Sequence, residues 1–198
     1  MRTTVTGRVM RIACCVALAV AFVPLWSVQP AAAQSLVPVY RFYNEKNANH
    51  FYTASEEESA LVKAKYPGIY VFEGIAYWTL ADAMELGPTA VIASVPLYRF
   101  YNKTTGSHFY TISEAEKAFV MAKYGAVFTY EGPTYNVFND AIDAPVMPVH
   151  RFYNKKNGSH FYTISDTEKV YVRLHYAQDY TYEGVAFYAI PSDLWFIR

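Results

Sequence analysis

Alternating apolar and polar positions recur three times along this chain, and each recurrence begins with the same short segment. The segment Arg-Phe-Tyr-Asn starts at Arg41, Arg99 and Arg151, and a second segment, His-Phe-Tyr-Thr, starts nine residues later at His50, His108 and His160. The residues between the two segments are polar and variable, and they contain Gly or Asn. Because neighbouring side chains in a strand point to opposite faces, this pattern predicts two short strands joined by a turn.

A short helix is predicted after each hairpin. A serine lies five residues after each histidine and a glutamate three residues further on: Ser55 with Glu58, Ser113 with Glu116, and Ser165 with Glu168. We expect a capping box, in which the serine accepts a bond from the first turn and the glutamate reaches back. An apolar stripe then follows, which we expect to cover the strands: Ala60, Leu61, Ala64; Ala118, Phe119, Ala122; and Val170, Tyr171, Leu174.

A third strand is predicted at the end of each unit. It contains a Glu-Gly pair at a fixed distance from the histidine, within an aromatic run such as residues 70–78: Glu73-Gly74, Glu131-Gly132 and Glu183-Gly184. A tyrosine also recurs sixteen residues after the histidine, at Tyr66, Tyr124 and Tyr176. One repeat is therefore strand, turn, strand, helix, strand, over about 37–80, 95–138 and 147–190. Residues 81–94 and 139–146, where the repeat spacing varies, are predicted surface connections.

The fold class that follows is mainly β with three short helices (α+β). A single repeat has too little core to be stable, so we expect one closed, pseudo-threefold domain over residues 34–198. A trefoil-like β-barrel and a three-bladed radial array both fit this expectation.

Residues 1–33 have the pattern of a cleaved secretory signal. Arg2, Arg8 and Arg11 precede an apolar run, and Ala31-Ala32-Ala33 provides a cleavage site, so we expect a secreted protein, extracellular or periplasmic. Cys14 and Cys15 lie inside this segment, and the mature chain is therefore expected to have no disulfide.

Charge excludes two classes of partner. The whole chain has 17 basic and 17 acidic residues, and removal of the signal leaves 14 against 17, a net charge of −3. Without a basic run, we expect no binding of nucleic acid and none of anionic membranes.

The 19 tyrosines and 13 phenylalanines are concentrated in the predicted strands, which supports a β fold. We expect a monomer.

The repeated pattern R-F-Y-N, H-F-Y-T and E-G resembles the secreted repeat family known as domain of unknown function 5648. The resemblance covers essentially the whole mature chain. In that family the repeats often accompany cell-wall or polysaccharide hydrolases, which implies an accessory, glycan- or surface-binding role and gives no catalytic residues. Phe187, where the other copies have Tyr77 and Tyr135, and Pro133 after Gly132 depart from the repeat.

The repeated charged residues have two interpretations. Arg41, Arg99 and Arg151 are expected to form structural ion pairs with Glu73, Glu131 and Glu183 of the same or a neighbouring copy, because buried charges need partners. The alternative is that the arginines face a ligand. His50, His108 and His160 would hold a metal if they converged, and otherwise each is expected to bond a backbone carbonyl at its turn.

Aromatic and amide side chains are the candidates for ligand binding. Tyrosines would stack on sugar rings while asparagines and arginines donate to the hydroxyls, and the same asparagines would otherwise cap their own turns. The predicted ligand-binding residues are Tyr43, Asn44, His50, Tyr52, Tyr101, Asn102, His108, Tyr110, Tyr153, Asn154, His160 and Tyr162.

The sequence favours a non-catalytic module. It contains no G-x-S-x-G, no H-E-x-x-H and no phosphate loop. Glu73, Glu131 and Glu183 would supply a carboxylate pair, but a catalytic acid and base need unlike surroundings. We therefore predict an exported module for glycan or cell-envelope polymer, with no catalytic residue, no cofactor and no metal. The alternatives are a hydrolase or metal-dependent enzyme using the repeated histidines and glutamates, and a structural or protein-interaction module.

Overall fold

Three successive segments of the chain have the same order of elements, strand, strand, helix, strand. A computed structural model of the protein describes residues 36–80, 94–141 and 145–193, all within the unit Gln34–Arg198. Repeat 1 consists of β1 (Leu36–Asn44), β2 (Asn49–Thr53), α1 (Glu56–Lys65) and β3 (Tyr70–Leu80). The predicted signal, 1–33, and most of the connection 81–94 lie outside the described residues.

Repeats 2 and 3 follow the same plan. Repeat 2 consists of β4 (Ser94–Asn102), β5 (His108–Thr111), α2 (Glu114–Tyr124) and β6 (Phe128–Phe138). Repeat 3 consists of β7 (Met147–Asn154), β8 (His160–Thr163), α3 (Asp166–His175) and β9 (Tyr180–Pro191). None of the three helices in these described ranges is long and apolar enough to cross a membrane.

The strands form an antiparallel sheet. In each repeat the first strand lies between the other two, so that β1 pairs with β2 and β3. The last strands also pair with one another across repeats, β3 with β6, β6 with β9, and β3 with β9. The described strands make a mainly β fold with three helices and not a closed barrel. The trefoil-like arrangement is not confirmed by this pairing.

A bulge in every repeat brings the repeated arginine beside the Glu-Gly pair. The register of β1 and β3 shifts on either side of Tyr40 and Arg41, and Arg41 lies opposite Gly74. Gly74 has φ of 103°, in the left-handed region that side chains other than glycine rarely occupy. The repeated glycine is therefore required by the bulge, and Glu73 before it lies next to Arg41.

The core consists of one cluster to which all three repeats contribute and of smaller clusters that each belong to a single repeat. The shared cluster contains buried residues from every repeat, including Val39, Leu97 and Val149. Each repeat also has its own aromatic cluster under its helix, as with Phe42, Phe51 and Val62 in repeat 1. The shared cluster holds the repeats together, since its members pack across repeat boundaries.

The predicted apolar stripe of the helices is wrong. All nine residues assigned to it are exposed, including Leu61, Phe119 and Leu174. The helix residues that pack on the sheet are instead Ser59 with Val62, and then Val120 and Val172. Each helix packs against the core with only one or two side chains. The predicted apolar stripe therefore lies on the outer, exposed surface of the helix.

Candidate functional site

The repeated arginines lie at the junctions between repeats. Arg99 Nε is 2.7 Å from Glu131 Oε2 of its own repeat. Its Nη1 and Nη2 donate to Glu58 of repeat 1 at 2.9 and 3.1 Å, which is the two-pronged geometry of a strong arginine–carboxylate pair. Arg151 makes the same contacts with Glu183 and Glu116. Arg41 Nε lies 2.8 Å from Glu73 Oε2, and its Nη1 donates to Glu168 Oε2 at 2.9 Å.

The helix start explains how Glu58 reaches the neighbouring repeat. Ser55 caps α1 as predicted, because its Oγ accepts from the N–H of Glu58 at 3.0 Å. The other half of the predicted capping box is wrong: the N–H of Ser55 donates to Thr53 Oγ1 at 3.0 Å. Since Thr53 satisfies that donor, the Glu58 carboxylate extends to Arg99 instead. Repeats 2 and 3 have the same Thr–Ser bond.

The charges at this junction stabilise one another. Burial opposes ionisation of Glu131, but a hydrogen bond from His108 and the charge on Arg99 outweigh it and lower the pKa of Glu131. Burial also opposes the charge on Arg99, yet the bond to Glu58 leaves the pKa of Arg99 above its ordinary value. Glu73 and Glu183 have pKa values lowered in the same way.

The repeated histidines contact a glutamate and a phenylalanine. His108 Nε2 is 3.4 Å from Glu131 Oε2, and its ring lies 4.9 Å from that of Phe51 in repeat 1. His50 is placed likewise against Glu73 and Phe161, and His160 against Glu183 and Phe109. Within residues 36–80, 94–141 and 145–193, no three His, Asp, Glu or Cys side chains form a group able to hold a metal ion.

Three of the predicted ligand-binding tyrosines form a closed ring in the core. The Tyr110 hydroxyl accepts from the backbone N–H of Tyr52 and donates to its carbonyl, at 3.1 and 2.8 Å. Tyr162 bonds the backbone of Tyr110 in the same way, and Tyr52 that of Tyr162. Their rings meet edge to face at 5.6–5.8 Å.

The ring tyrosines are therefore structural. Each is 1% exposed, and burial raises the pKa of all three. Both functions of each hydroxyl, donor and acceptor, are used on the backbone of a neighbouring repeat. Asn44, Asn102 and Asn154 are also buried, and their Oδ1 atoms accept from backbone N–H groups of the turns that follow them.

A groove between repeats 1 and 2 contains three of the predicted binding residues, Asn44, Tyr101 and His108; we call it the tyrosine groove. It has a volume of about 430 Å³ and is lined by Asn44, Asn47, Tyr66 and Tyr70 of repeat 1 and by Tyr101 and His108 of repeat 2, among others. Burial raises the pKa of Tyr70, and the nearby phenols of Tyr101 and Tyr66 raise it further. Tyr66 is 41% exposed, so the groove offers tyrosine surface to solvent.

A related arrangement exists between repeats 3 and 1. Burial raises the pKa of Tyr180, and Tyr43 of repeat 1 and Tyr176 of repeat 3 contribute to the same shift. Tyr176 and Tyr180 occupy the repeat positions of Tyr66 and Tyr70. Sequence reasoning did not assign Tyr66 or Tyr70 to a site, although the fixed spacing of Tyr66, Tyr124 and Tyr176 was a usable signal.

Two further pockets surround the arginine clusters. Each has a volume of about 480 Å³, and one is lined by Arg99, Glu58 and Glu131 and the other by Arg41, Glu168 and Glu73. Glu73 and Glu131, each directly before the glycine of its bulge, have lowered pKa values, whereas a glycosidase acid must be held protonated near neutral pH. These clusters therefore have the electrostatics of structural ion pairs.

One buried histidine was missed by sequence reasoning. His150 stands where repeats 1 and 2 have Tyr40 and Tyr98. Its Nδ1 is 2.9 Å from the Tyr182 hydroxyl and its Nε2 is 3.1 Å from Asp166 Oδ1, and burial lowers the pKa of His150. Tyr98 makes the equivalent bond to Glu114, so this position ties the first strand to the start of the helix.

Comparison with known proteins places the chain in one family. The family model described as "Domain of unknown function (DUF5648)" matches residues 24–125 and again residues 83–190, two overlapping regions that together span most of the chain. No curated protein matches the chain, and no solved structure matches it. The chain belongs to the DUF5648 family.

Proposed function

We propose that this member of the DUF5648 family is an exported, non-catalytic module that binds glycan or cell-envelope polymer in grooves between its repeats. The observation that carries the proposal is the tyrosine groove. It is concave, it presents partly exposed tyrosine rings, and amide and imidazole groups are among the groups that line it. Sugar rings stack on such rings through their C–H faces while their hydroxyls bond the polar groups.

Recurrence of the groove supports binding to a polymer. Tyr43 and Tyr153 hold in repeats 1 and 3 the place that Tyr101 holds in repeat 2. Weak sites on one rigid body bind a repeating polymer with an apparent affinity above that of each site, because the second contact becomes intramolecular. A glycan chain supplies that repetition.

A closed, pseudo-threefold arrangement of the repeats is part of the proposal. Its support is the cyclic order of contacts: Arg99 binds repeat 1, Arg151 binds repeat 2 and Arg41 binds repeat 3. The ring of Tyr52, Tyr110 and Tyr162 closes in the same way. Such an arrangement would present the grooves around one axis.

Export is proposed from the signal-like residues 1–33. A glycan of the cell envelope or the surroundings is a partner that an exported protein meets. The net charge of −3 expected after cleavage gives no attraction to nucleic acid or to anionic membrane.

The experiment is a binding assay of the full chain with cellulose, chitin and peptidoglycan by sedimentation, and with laminarin and xylan by calorimetry. The variant to compare is the triple substitution Tyr43→Ala, Tyr101→Ala, Tyr153→Ala, which removes one ring from each groove. We expect wild type to bind at least one polymer and the variant to lose at least tenfold in affinity, as truncation of aromatic contacts does.

The matched control is Phe72→Ala. Phe72 is 41% exposed and packs on Tyr40 and Phe42, away from the groove residues. We expect it to retain binding. Failure of wild type to bind any of the five polymers would refute the proposal, as would equal binding by the triple variant.

Exposed apolar side chains on the helices support a second candidate, a protein-interaction module. Leu61, Phe119, Tyr171 and Leu174 are each about half exposed or more. Glycan binding that survives Phe119→Ala and Leu174→Ala but not the triple tyrosine variant would favour the first candidate over this one.

A further inference from the structure

The arginine cluster between repeats 3 and 1 differs from the other two in how the arginine holds its second glutamate. Arg99 and Arg151 each use both terminal nitrogens, Nη1 and Nη2, on the two oxygens of a glutamate in the preceding repeat. Arg41 bonds Glu168 through Nη1 alone, at 2.9 Å. In the part of the chain that the structure describes, no group accepts a hydrogen bond from Arg41 Nη2, and none donates one to Glu168 Oε1. This cluster therefore has one unused donor nitrogen and one unused acceptor oxygen.

Both unused atoms are open to solvent. Among the described residues, the buried side-chain nitrogen and oxygen atoms without a partner belong to Asn47 and Asn49. Arg41 Nη2 and Glu168 Oε1 are not among them, and the two side chains are 20% and 32% exposed. Both atoms can therefore be contacted by a ligand from solvent.

The two side chains line a pocket of about 480 Å³, which we call the Arg41 pocket. Tyr171 of α3 also lines it and is 53% exposed, and Thr167 lies beside it on the same helix. The corresponding pocket between repeats 1 and 2 has Leu61 in the place of Tyr171 and Glu57 in the place of Thr167. Of these two pockets, the Arg41 pocket alone combines an exposed aromatic ring with unused hydrogen-bonding atoms.

We infer that the Arg41 pocket is a second saccharide site, which takes one neutral sugar unit with two adjacent hydroxyl groups. One hydroxyl would accept from Arg41 Nη2 and its neighbour would donate to Glu168 Oε1, because a hydroxyl can do either. The face of the sugar ring would pack on Tyr171. The inference rests on the proposed function for the class of ligand, and it adds a site at a different junction from the tyrosine groove.

The charges of the pocket disfavour an acidic sugar. Among the described residues that line it, Arg41 is the one cation, and Glu73 and Glu168 both contact its guanidinium group. One positive and two negative groups leave an excess of one negative charge. The carboxylate of a uronic acid is repelled by that excess, whereas an uncharged sugar is not.

The test is calorimetric titration of the full chain with three soluble oligosaccharides. Xylohexaose and cellopentaose are neutral and carry adjacent hydroxyls on every unit, and hexagalacturonate adds a carboxylate to each unit. We expect wild type to bind at least one neutral chain about tenfold more tightly than hexagalacturonate. Tyr171→Leu, which gives the pocket the residue of repeat 1, should weaken binding of that neutral chain about tenfold.

The matched control for Tyr171→Leu is Phe119→Leu. It removes an exposed ring at the equivalent position of α2, so any general effect of losing a helix-surface aromatic is the same. We expect Phe119→Leu to bind the neutral chain as wild type does.

A second pair of variants tests the unused nitrogen. Arg41→Lys keeps the charge and removes Nη2, whereas Arg99→Lys makes the same change where both terminal nitrogens are already bonded. We expect Arg41→Lys to weaken binding of the neutral chain about tenfold and Arg99→Lys to leave it unchanged, with circular dichroism showing that both are folded. A purely structural role of these arginines predicts no such difference in binding.

The inference is overturned if wild type binds neither neutral chain, if it binds hexagalacturonate as tightly, or if Tyr171→Leu or Arg41→Lys binds as wild type does. In each of these cases the proposed function stands when wild type binds one of the five polymers and the triple tyrosine variant binds it more weakly. Loss of binding in Tyr171→Leu with none in the triple variant would support the inference and refute the tyrosine groove. Wild type that binds no saccharide refutes both.

Discussion

Tyr101 and Tyr110 come from the two halves of one repeated motif and lie in opposite environments. Tyr110 is enclosed, and its hydroxyl bonds the backbone of repeat 1. Tyr101 faces the tyrosine groove and stays partly exposed. In the paired strands, Tyr110 lies opposite Arg99 and Tyr101 opposite His108. The comparison shows that strand position, and not residue type, decides whether a tyrosine of this motif is structural or available for binding.

The largest effect is expected from Tyr110→Phe. The change keeps the ring and removes the hydroxyl, which leaves the buried N–H and carbonyl of Tyr52 unpaired. We expect the free energy of unfolding to fall by about 2–5 kcal/mol, the cost of two unsatisfied buried groups. Urea denaturation measures it.

The control for that variant is Tyr101→Phe, which removes a hydroxyl from the groove. We expect its free energy of unfolding to lie within about 0.5 kcal/mol of wild type, as for most surface changes. Equal destabilisation by the two variants would contradict the assignment of one tyrosine to the core and the other to the groove.

A smaller effect is expected from Arg99→Ala. Arg99 lies beside Tyr110 and joins Glu131 to Glu58 of the preceding repeat. Its removal leaves two partly buried carboxylates without their counter-charge, and we expect a loss of about 2–3 kcal/mol, at the low end for such pairs. Thermal unfolding compared with Lys46→Ala, a change at an exposed lysine, tests it. A loss no larger than in that control would show that the junction charges add nothing to stability.

The smallest effect is a dependence of stability on acid. The pKa of Glu131 is lowered in the folded protein from an ordinary value of 4.5. A lowered folded pKa means that the stabilisation is complete above pH 4.5 and is lost as pH falls through the folded value. The free energy of unfolding should therefore decrease with pH in this acid range.

Glu131→Gln separates this contribution from the rest. The variant should show a shallower decrease of unfolding free energy below pH 4.5 than wild type, because one of the three repeated glutamates no longer titrates. Lys46→Ala, the change at an exposed lysine, leaves every carboxylate in place and should keep the wild-type slope. Identical slopes in all three proteins would contradict the role of Glu131.

The order of elements in each repeat could be predicted because local signals agree. Ser55, Ser113 and Ser165 mark the helix starts, and the structure has each of them as the capping residue. The hairpins follow from the fixed spacing of the two motif segments. Such features depend on contacts between residues that are close in sequence, so the residue pattern of one sequence is enough to predict them.

Features that depend on packing between repeats could not be predicted. Leu61 belongs to a regular apolar stripe, yet Val62 is the residue that packs against the sheet. Periodicity gives the spacing of a face but not which of two faces meets the core. The sequence predicted that the Glu58 carboxylate accepts from the backbone N–H of Ser55. It binds Arg99 instead, because the Thr53 hydroxyl accepts from that N–H.

The ring of three phenols makes the repeats depend on one another for folding. Each ring hydroxyl bonds a peptide group of a different repeat, so no two repeats contain the full set of these bonds. If any one repeat unfolded, a phenol and a peptide group of the other two repeats would stay buried without a hydrogen-bond partner. The repeats should consequently melt in a single cooperative transition. A chain of only one repeat would acquire the same bonds only by assembling with two copies of itself.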